Sequence, residues 1–289
     1  MEKIAPPKRA DTLICNDRRV HTSDGIELHV RHYVPSEARA RRSLLIVHGI
    51  CEHGGRYEHV ATAAAQQGWE TIITDLRGHG RSSGPRAHVS RFTDYVDDIE
   101  AVRREFQTDP QKTAMLGHSM GGLVAIRYAQ RHADQLSALA LSAPFLRPGK
   151  PPNLVLTAFG RVMSFIAPRT RFATRIEPHE VCRDPQMLKQ RAEDQLMQTS
   201  VTAGWFFEAR FAIGKAWKRA ERMQMPLLVM QGAMDCVVDP LSSERWAESS
   251  GSTDKTFELF PDHMHELLNE PDRDETIDSL LGWLDARVA

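Results

Sequence analysis

The sequence predicts an α/β protein whose mainly parallel sheet is covered by helices on both faces. Short apolar runs alternate with stretches of helical spacing from residue 43 to residue 142. That alternation breaks between Pro144 and about Gln224, then resumes from Pro226. A chain of 289 residues, 41% of them apolar, can also bury a sizeable core without disulfides or metal.

Taken in order, residues 1–17 are polar and contain proline, and read as a loose arm. Arg19–His21 and Ile26–Tyr33 flank Asp24-Gly25, a strong hairpin signal. Ser43–His48 (SLLIVH) reads as a buried strand. Tyr57–Gln67 has helical spacing and stops at Gly68, and Glu70–Asp75 is the next strand. Phe92–Phe106 reads as a helix with apolar positions 92, 95, 99, 102 and 106. Thr113–His118 is a strand, followed by a helix from Met120 to about His132 and a strand at Ser137–Ser142.

From Pro144 to Gln224 no strand is evident. Helical spacing recurs near 153–166, 185–198 and 201–222, between prolines, and reads as an insertion on top of the sheet. Strand Pro226–Gln231, helix Pro240–Ser249, strand Lys255–Phe260 and helix Asp272–Arg287 complete the chain. The expected organisation is a core in two parts, 1–143 and 225–289, interrupted by a helical insertion at 144–224.

Charge and composition exclude several classes. Lys+Arg is 37, Asp+Glu is 38 and the net charge is −1, which gives no electrostatic footprint for nucleic acid. No run of 18 apolar residues suits a membrane span, and MEKIAPPKRADTL lacks the apolar region of a signal peptide. Cys15, Cys51, Cys182 and Cys236 lie far apart without a CxxC pair, so the expected location is a reducing cytoplasm.

The chemical signal is Gly117-His118-Ser119-Met120-Gly121, a GxSxG with a strand running in and a helix running out. A serine on so sharp a turn crowds its neighbours, and the glycines two residues either side relieve the clash. A serine hydroxyl needs a base, and in this architecture the order is Ser, acid, His. Asp235 lies on the loop after strand 226–231. Asp239, the rival acid, precedes Pro240 and reads better as a helix N-cap. Only His263 and His265, of 13 histidines, then follow the acid, and position alone does not choose between them. Both loops fall at the carboxyl edge of the sheet, where α/β sites are built. A developing oxyanion would take one backbone N–H from Met120 and a second from Ile50, on the His48-Gly49-Ile50 loop after the first parallel strand. His48, Cys51 and His53 are too irregularly spaced for a metal site, and no cofactor is implied.

Five segments then carry a resemblance: HGICEHGGRY (48–57), DLRGHGRSSG (75–84), GHSMGG (117–122), QGAMDCVVDP (231–240) and HELLNE (265–270). The sequence resembles the α/β-hydrolases of the monoacylglycerol lipase and lysophospholipase-like group (serine aminopeptidase S33 type). The resemblance implies Ser119, Asp235 and His265 as catalytic triad, with Ile50 and Met120 at the oxyanion. It implies a helical cap over an acyl pocket and glycerol-ester or lysolipid substrates. Apolar positions 155, 159, 162, 163 and 166 of the insertion offer transient membrane-surface contact, with packing of the insertion on the core as the alternative. The resemblance also places Glu52 and Arg56 where relatives hold the alcohol headgroup, while a local salt bridge is the structural alternative. The polar residue that some members carry three positions after the catalytic His is Leu268 here. Two other readings are a proline iminopeptidase-like enzyme, which needs carboxylates such as Glu193, Asp194 or Glu208 for an ammonium, and a non-catalytic scaffold.

Overall fold

The computed structural model describes residues 14–35, 42–151, 153–174 and 176–288. An antiparallel hairpin, β1 (Ile14–His21) and β2 (Glu27–Val34), forms one edge of the main sheet and turns through Gly25 at φ 84°. Residues 14–17, expected in a loose arm, pair with Arg31–Val34 of β2. Their polar side chains face solvent, as an edge strand tolerates, and the rest of the expected arm lies outside the described residues.

The chain then alternates: β3 (Arg42–Val47), α1 (Glu58–Gln66), β4 (Trp69–Thr74), α2 (Thr93–Glu105), β5 (Thr113–His118), α3 (Met120–Ala129) and β6 (Ala138–Ser142). Between β6 and the next strand of the sheet come α4 (Leu154–Ile166), β7 (Arg171–Ala173), α5 (Pro185–Glu193), β8 (Ser200–Thr202) and α6 (Ala203–Lys218). Strand β9 (Leu227–Gly232), α7 (Pro240–Ser249), β10 (Lys255–Phe260) and α8 (Arg273–Asp285) follow. The sheet order is β1-β2-β4-β3-β5-β6-β9-β10, parallel from β4 onward.

Period-two alternation divides the core between the two faces of the sheet. Leu45, Val47, Met115, Leu139 and Val229 face a cluster built with α2, α3, α6 and α7. Leu44, Ile46, Leu116, Ala140 and Met230 face α1 and α8. Helix α8 buries Ile277, Leu280, Leu281 and Leu284 there, each worth about 1.5–3 kcal/mol when fully buried.

The stretch between β6 and β9 departs from expectation twice. Strands β7 and β8 pair as a small antiparallel sheet of their own, where no strand is evident in the sequence. Three-residue strands are too short to display alternation. Helix α6, expected within the insertion, buries Ala209, Ala212 and Ala216 in the main core, and the Ala216 carbonyl accepts bonds from Gln130 and Trp246. Small residues on that face let α6 approach α3 closely.

Candidate active site

Strand β5 delivers Ser119 at its carboxyl end, and α3 begins at the next residue. Ser119 has φ 53° and ψ −119°, a conformation that costs a non-glycine residue roughly 1–3 kcal/mol. Its surroundings hold it there. The Ser119 N–H donates to the Ser142 carbonyl at 3.0 Å, and its own carbonyl accepts from Phe145 N–H at 2.9 Å. A Cβ on Gly117 would lie 2.6 Å from the Gly121 carbonyl, and one on Gly121 would collide with the Val47 and His48 carbonyls. The glycines are therefore needed for space, as the crowding argument expects.

Asp235 and His265 arrive from the loops after β9 and β10, two parallel neighbours. A Cβ on Gly232 would strike the Met264 carbonyl, so this glycine lets the two loops touch. His265 Nε2 lies 2.9 Å from Ser119 Oγ, and His265 Nδ1 lies 2.8 Å from Asp235 Oδ2. Asp235 Oδ1 accepts from the Val237 and Val238 N–H groups at 2.8 and 2.9 Å. Gln231 Nε2 donates to Oδ2 at 3.0 Å, and Gln231 Oε1 accepts from the Ser243 hydroxyl at 2.7 Å. Burial pushes the Asp235 carboxyl up, but His265 and these donors outweigh it and bring the pKa below its ordinary value. Burial works against protonation of His265, yet Asp235, then Glu266 and Glu52, lift its pKa above the usual imidazole value. The arrangement can take a proton from the Ser119 hydroxyl and stabilise the resulting imidazolium.

The two rivals sit elsewhere. Asp239 caps α7, accepting from Leu241 N–H at 3.2 Å. His263 stacks on Phe260 and reaches Asp272 at 3.0 Å. An extended loop would point His263 and His265 the same way. The chain instead bends at His265, and the two rings meet different partners, Asp272 and Asp235.

Ile50 lies on the loop after β3, and Met120 follows Ser119 at the first position of α3. A Cβ on Gly49 would lie 3.2 Å from Ser119 Cβ, so that loop rests directly against the serine. Glu52 and Arg56 are buried beneath it. Glu52 Oε1 accepts from Gly49 N–H at 2.5 Å and from Tyr57 Oη at 2.7 Å, and Glu52 Oε2 pairs with Arg56 Nε at 3.1 Å. Burial raises the Glu52 pKa, but His118, Arg56 and the Tyr57 hydroxyl bring it down to about 2. Arg56 also bonds Glu266, whose other oxygen pairs with Arg191 of α5 at 2.8 Å. These atoms face one another, as in the salt-bridge alternative. Arg191, Glu266, Gln231 and Tyr57 escaped the sequence reading, because no local pattern links residues so far apart.

His48, Cys51 and His53 point three ways: to Leu76 N–H, to the Ser200 carbonyl and to Asp194. Among the described residues no group of three or more His, Cys, Asp or Glu is placed to hold a metal.

The family model for serine aminopeptidases of type S33 matches residues 38–272. The chain belongs to this family. It is 29% identical over 249 residues to a monoacylglycerol lipase of Mycolicibacterium smegmatis, covering 84% of this chain and 88% of that one. Against a phospholipase of Bacillus subtilis the identity is 28% over 247 residues, covering 85% and 95%. The crystal structure of a Paleococcus ferrophilus monoacylglycerol lipase superimposes with a TM-score of 0.80 at 25% identity, covering 95% of this chain and 99% of that one. This family member thus has the α/β-hydrolase fold.

Proposed function

We propose that this chain cleaves the carboxylic ester of a monoacylglycerol or lysophospholipid-like lipid through an acyl-enzyme on Ser119. That it is a serine ester hydrolase acting on lipids agrees with the lipases and phospholipase among its relatives. The observation that carries the residue assignment is the continuous Ser119–His265–Asp235 hydrogen-bond chain. His265 takes the hydroxyl proton as Ser119 Oγ attacks the ester carbonyl. Asp235 orients His265 and stabilises its charged form. The N–H groups of Ile50 and Met120 receive the oxyanion. His265 then gives its proton to the leaving alcohol, and water releases the acid by the reverse sequence.

The peptidase alternative needs free carboxylates to bind a substrate ammonium. Asp194 bonds His53 at 2.6 Å, Glu208 accepts from Phe92 N–H at 2.8 Å, and Glu193 lies exposed beside Lys189. This favours the ester reading. Residues 144–202 serve as the cap over the site, and its helix α4 touches the lipid surface. Leu154, Val155, Phe165 and Ile166 are 83, 80, 70 and 73% exposed, a density of apolar side chains unusual on a surface in water alone. No helix among the described residues is long and apolar enough to cross a membrane.

The test is turnover of monooleoylglycerol, lysophosphatidylcholine, graded p-nitrophenyl esters and amino-acyl amides by the parent and Ser119→Ala. Ester turnover should fall by about 10⁶ in the variant. Fluorophosphonate should label the parent and spare the variant. Ester hydrolysis within tenfold of the parent in Ser119→Ala would refute the assignment, and preference for amides would favour the peptidase.

A further inference from the structure

We propose that His48 is a positioning residue for the oxyanion hole: its imidazole pins the Gly49–Ile50 peptide so that the Ile50 N–H faces Ser119. The inference rests on the serine-hydrolase reading and concerns how its second donor is aimed.

The carbonyl end of Gly49 comes first. His48 Nδ1 lies 2.7 Å from the Gly49 carbonyl oxygen, and His48 Nε2 lies 2.9 Å from the Leu76 nitrogen. The Leu76 backbone N–H can only donate, so Nε2 must be the bare, accepting nitrogen. The ring proton of a neutral imidazole then sits on Nδ1 and is donated to the Gly49 carbonyl. His48 is completely buried, and that burial holds its pKa below the ordinary value, in keeping with a neutral ring. One backbone N–H at the end of β4 thereby fixes a tautomer, and the tautomer fixes a carbonyl.

Peptide geometry transmits the effect. The described residues contain no cis peptide bond, and in a trans peptide the C=O of one residue and the N–H of the next point in opposite directions. Pinning the Gly49 carbonyl toward His48 therefore sends the Ile50 N–H to the opposite side. The Gly49 N–H is itself held by Glu52 at 2.5 Å, so both polar groups of this glycine are engaged. Gly49 rests against Ser119, with a Cβ position 3.2 Å from the serine Cβ. Ile50 N–H is thus the next donor along the loop beside the nucleophile. A flip of this one peptide would replace a donor with a carbonyl oxygen and repel the oxyanion.

Asparagine and glutamine divide the two functions of the ring. In His48→Asn the amide nitrogen reaches the δ position and can still donate to Gly49, while the acceptor for Leu76 is lost. In His48→Gln the amide oxygen reaches the ε position and can accept from Leu76, while the donor to Gly49 is lost. Deleting an oxyanion donor outright lowers kcat by about 10²–10³. We expect His48→Gln to lose between about tenfold and that amount in kcat with KM within about twofold, and His48→Asn to stay within about fivefold of the parent. Affinity for a trifluoromethyl ketone, which forms an oxyanion on the serine, should fall in parallel with kcat. Equal losses in both variants would mean a packing role and overturn the proposal, as would full activity in His48→Gln. ¹⁵N NMR of the parent gives a test that does not depend on variant folding: the His48 ring must carry its proton on Nδ1, and an Nε2–H tautomer overturns the proposal. Failure of the underlying reading would show differently, as an inactive parent or an active Ser119→Ala.

Discussion

The two halves of the stretch between β6 and α6 are built on opposite principles. Residues 177–202 are tied to the site by directional bonds. Glu266 N–H donates to the Val181 carbonyl at 2.7 Å, Cys182 Sγ to the Asn269 carbonyl, and Arg183 to Glu270. Arg191 pairs with Glu266, Asp194 with His53, and Gln198 N–H donates to the Cys51 carbonyl at 2.8 Å. Among the described residues, helix α4 makes no such hydrogen bonds to the loops of the site. It packs on α6 through Gly160 against Phe207 and leaves much of its apolar surface open. One half therefore shares rigidity with the loops carrying Glu52 and His265, and the other presents an exposed apolar face. Proximity in sequence does not make the whole insertion a single mobile lid.

Breaking the anchored half should give the largest effect. Glu266 sits between Arg56 and Arg191, and all three are at least mostly buried. Glu266→Ala takes the carboxylate from Arg191 and leaves Arg56 with Glu52 alone, and losing one partner of a buried pair costs about 3–5 kcal/mol. Thermal melts should fall by on the order of 10 °C. A melt unchanged within 2 °C would show that the cluster does not anchor these residues.

The exposed half should answer to substrate form rather than to heat. Phe159, Phe165 and Ile166 are 53, 70 and 73% exposed. Replacing all three by serine should leave the melt and p-nitrophenyl butyrate turnover within about twofold. If each still contributes ~1 kcal/mol at a lipid surface, turnover of vesicle-bound monooleoylglycerol should drop about a hundredfold. Equal losses on both substrates would place α4 in the fold's stability and not at an interface.

This contrast was only partly legible in the sequence. The positions 155, 159, 162, 163 and 166 mark an apolar helical face, but periodicity says that a face is apolar and not what covers it. The Ser119 turn was readable because strand, glycines and helix are covalent neighbours, so their constraint is local. The order Ser, acid, His then cut 13 histidines to two, and only the resemblance chose between them, since the partners that tell the two rings apart, Asp272 and Asp235, belong to other segments. The Arg56–Glu266–Arg191 cluster joins three segments distant in the chain, and charges of either sign are common on any surface. Its existence is a property of the packed loops.

The pH profile sharpens the same comparison at smaller amplitude. His265 must be neutral to accept the serine proton, and Asp235 and Glu266 raise its pKa. The acid limb of kcat/KM should therefore lie above the ordinary imidazole range. Glu266→Gln removes a negative neighbour, lowers the His265 pKa, and should move that limb to lower pH. Serine substitutions on α4 should not move it. An unmoved limb in Glu266→Gln would mean that the charge beside the base is electrostatically silent.

The smallest effect uses a thiol as reporter. The sequence suggests that bulky thiol reagents slow turnover through Cys51, beside Ile50, and Cys236, beside Asp235. In the structure Cys51 is buried, its Sγ 3.8 Å from the Ser200 carbonyl, and burial pushes its pKa up to about 12. Cys236 is half-buried and its pKa also lies above the ordinary value through burial, while Cys15 is exposed. Since the thiolate reacts, Cys51 should be the slow site despite its place by the oxyanion loop. Peptide mass spectrometry after iodoacetamide should find Cys15 modified first, then Cys236, with turnover changed less than twofold while Cys51 is intact. Residues 198–200 cover Cys51 and belong to the anchored half, so Glu266→Gln should speed Cys51 labelling, whereas the α4 substitutions should leave it alone. If Cys51 in the parent reacts as fast as Cys15, the anchored half opens readily in solution, and the distinction between the two halves fails at its most sensitive point.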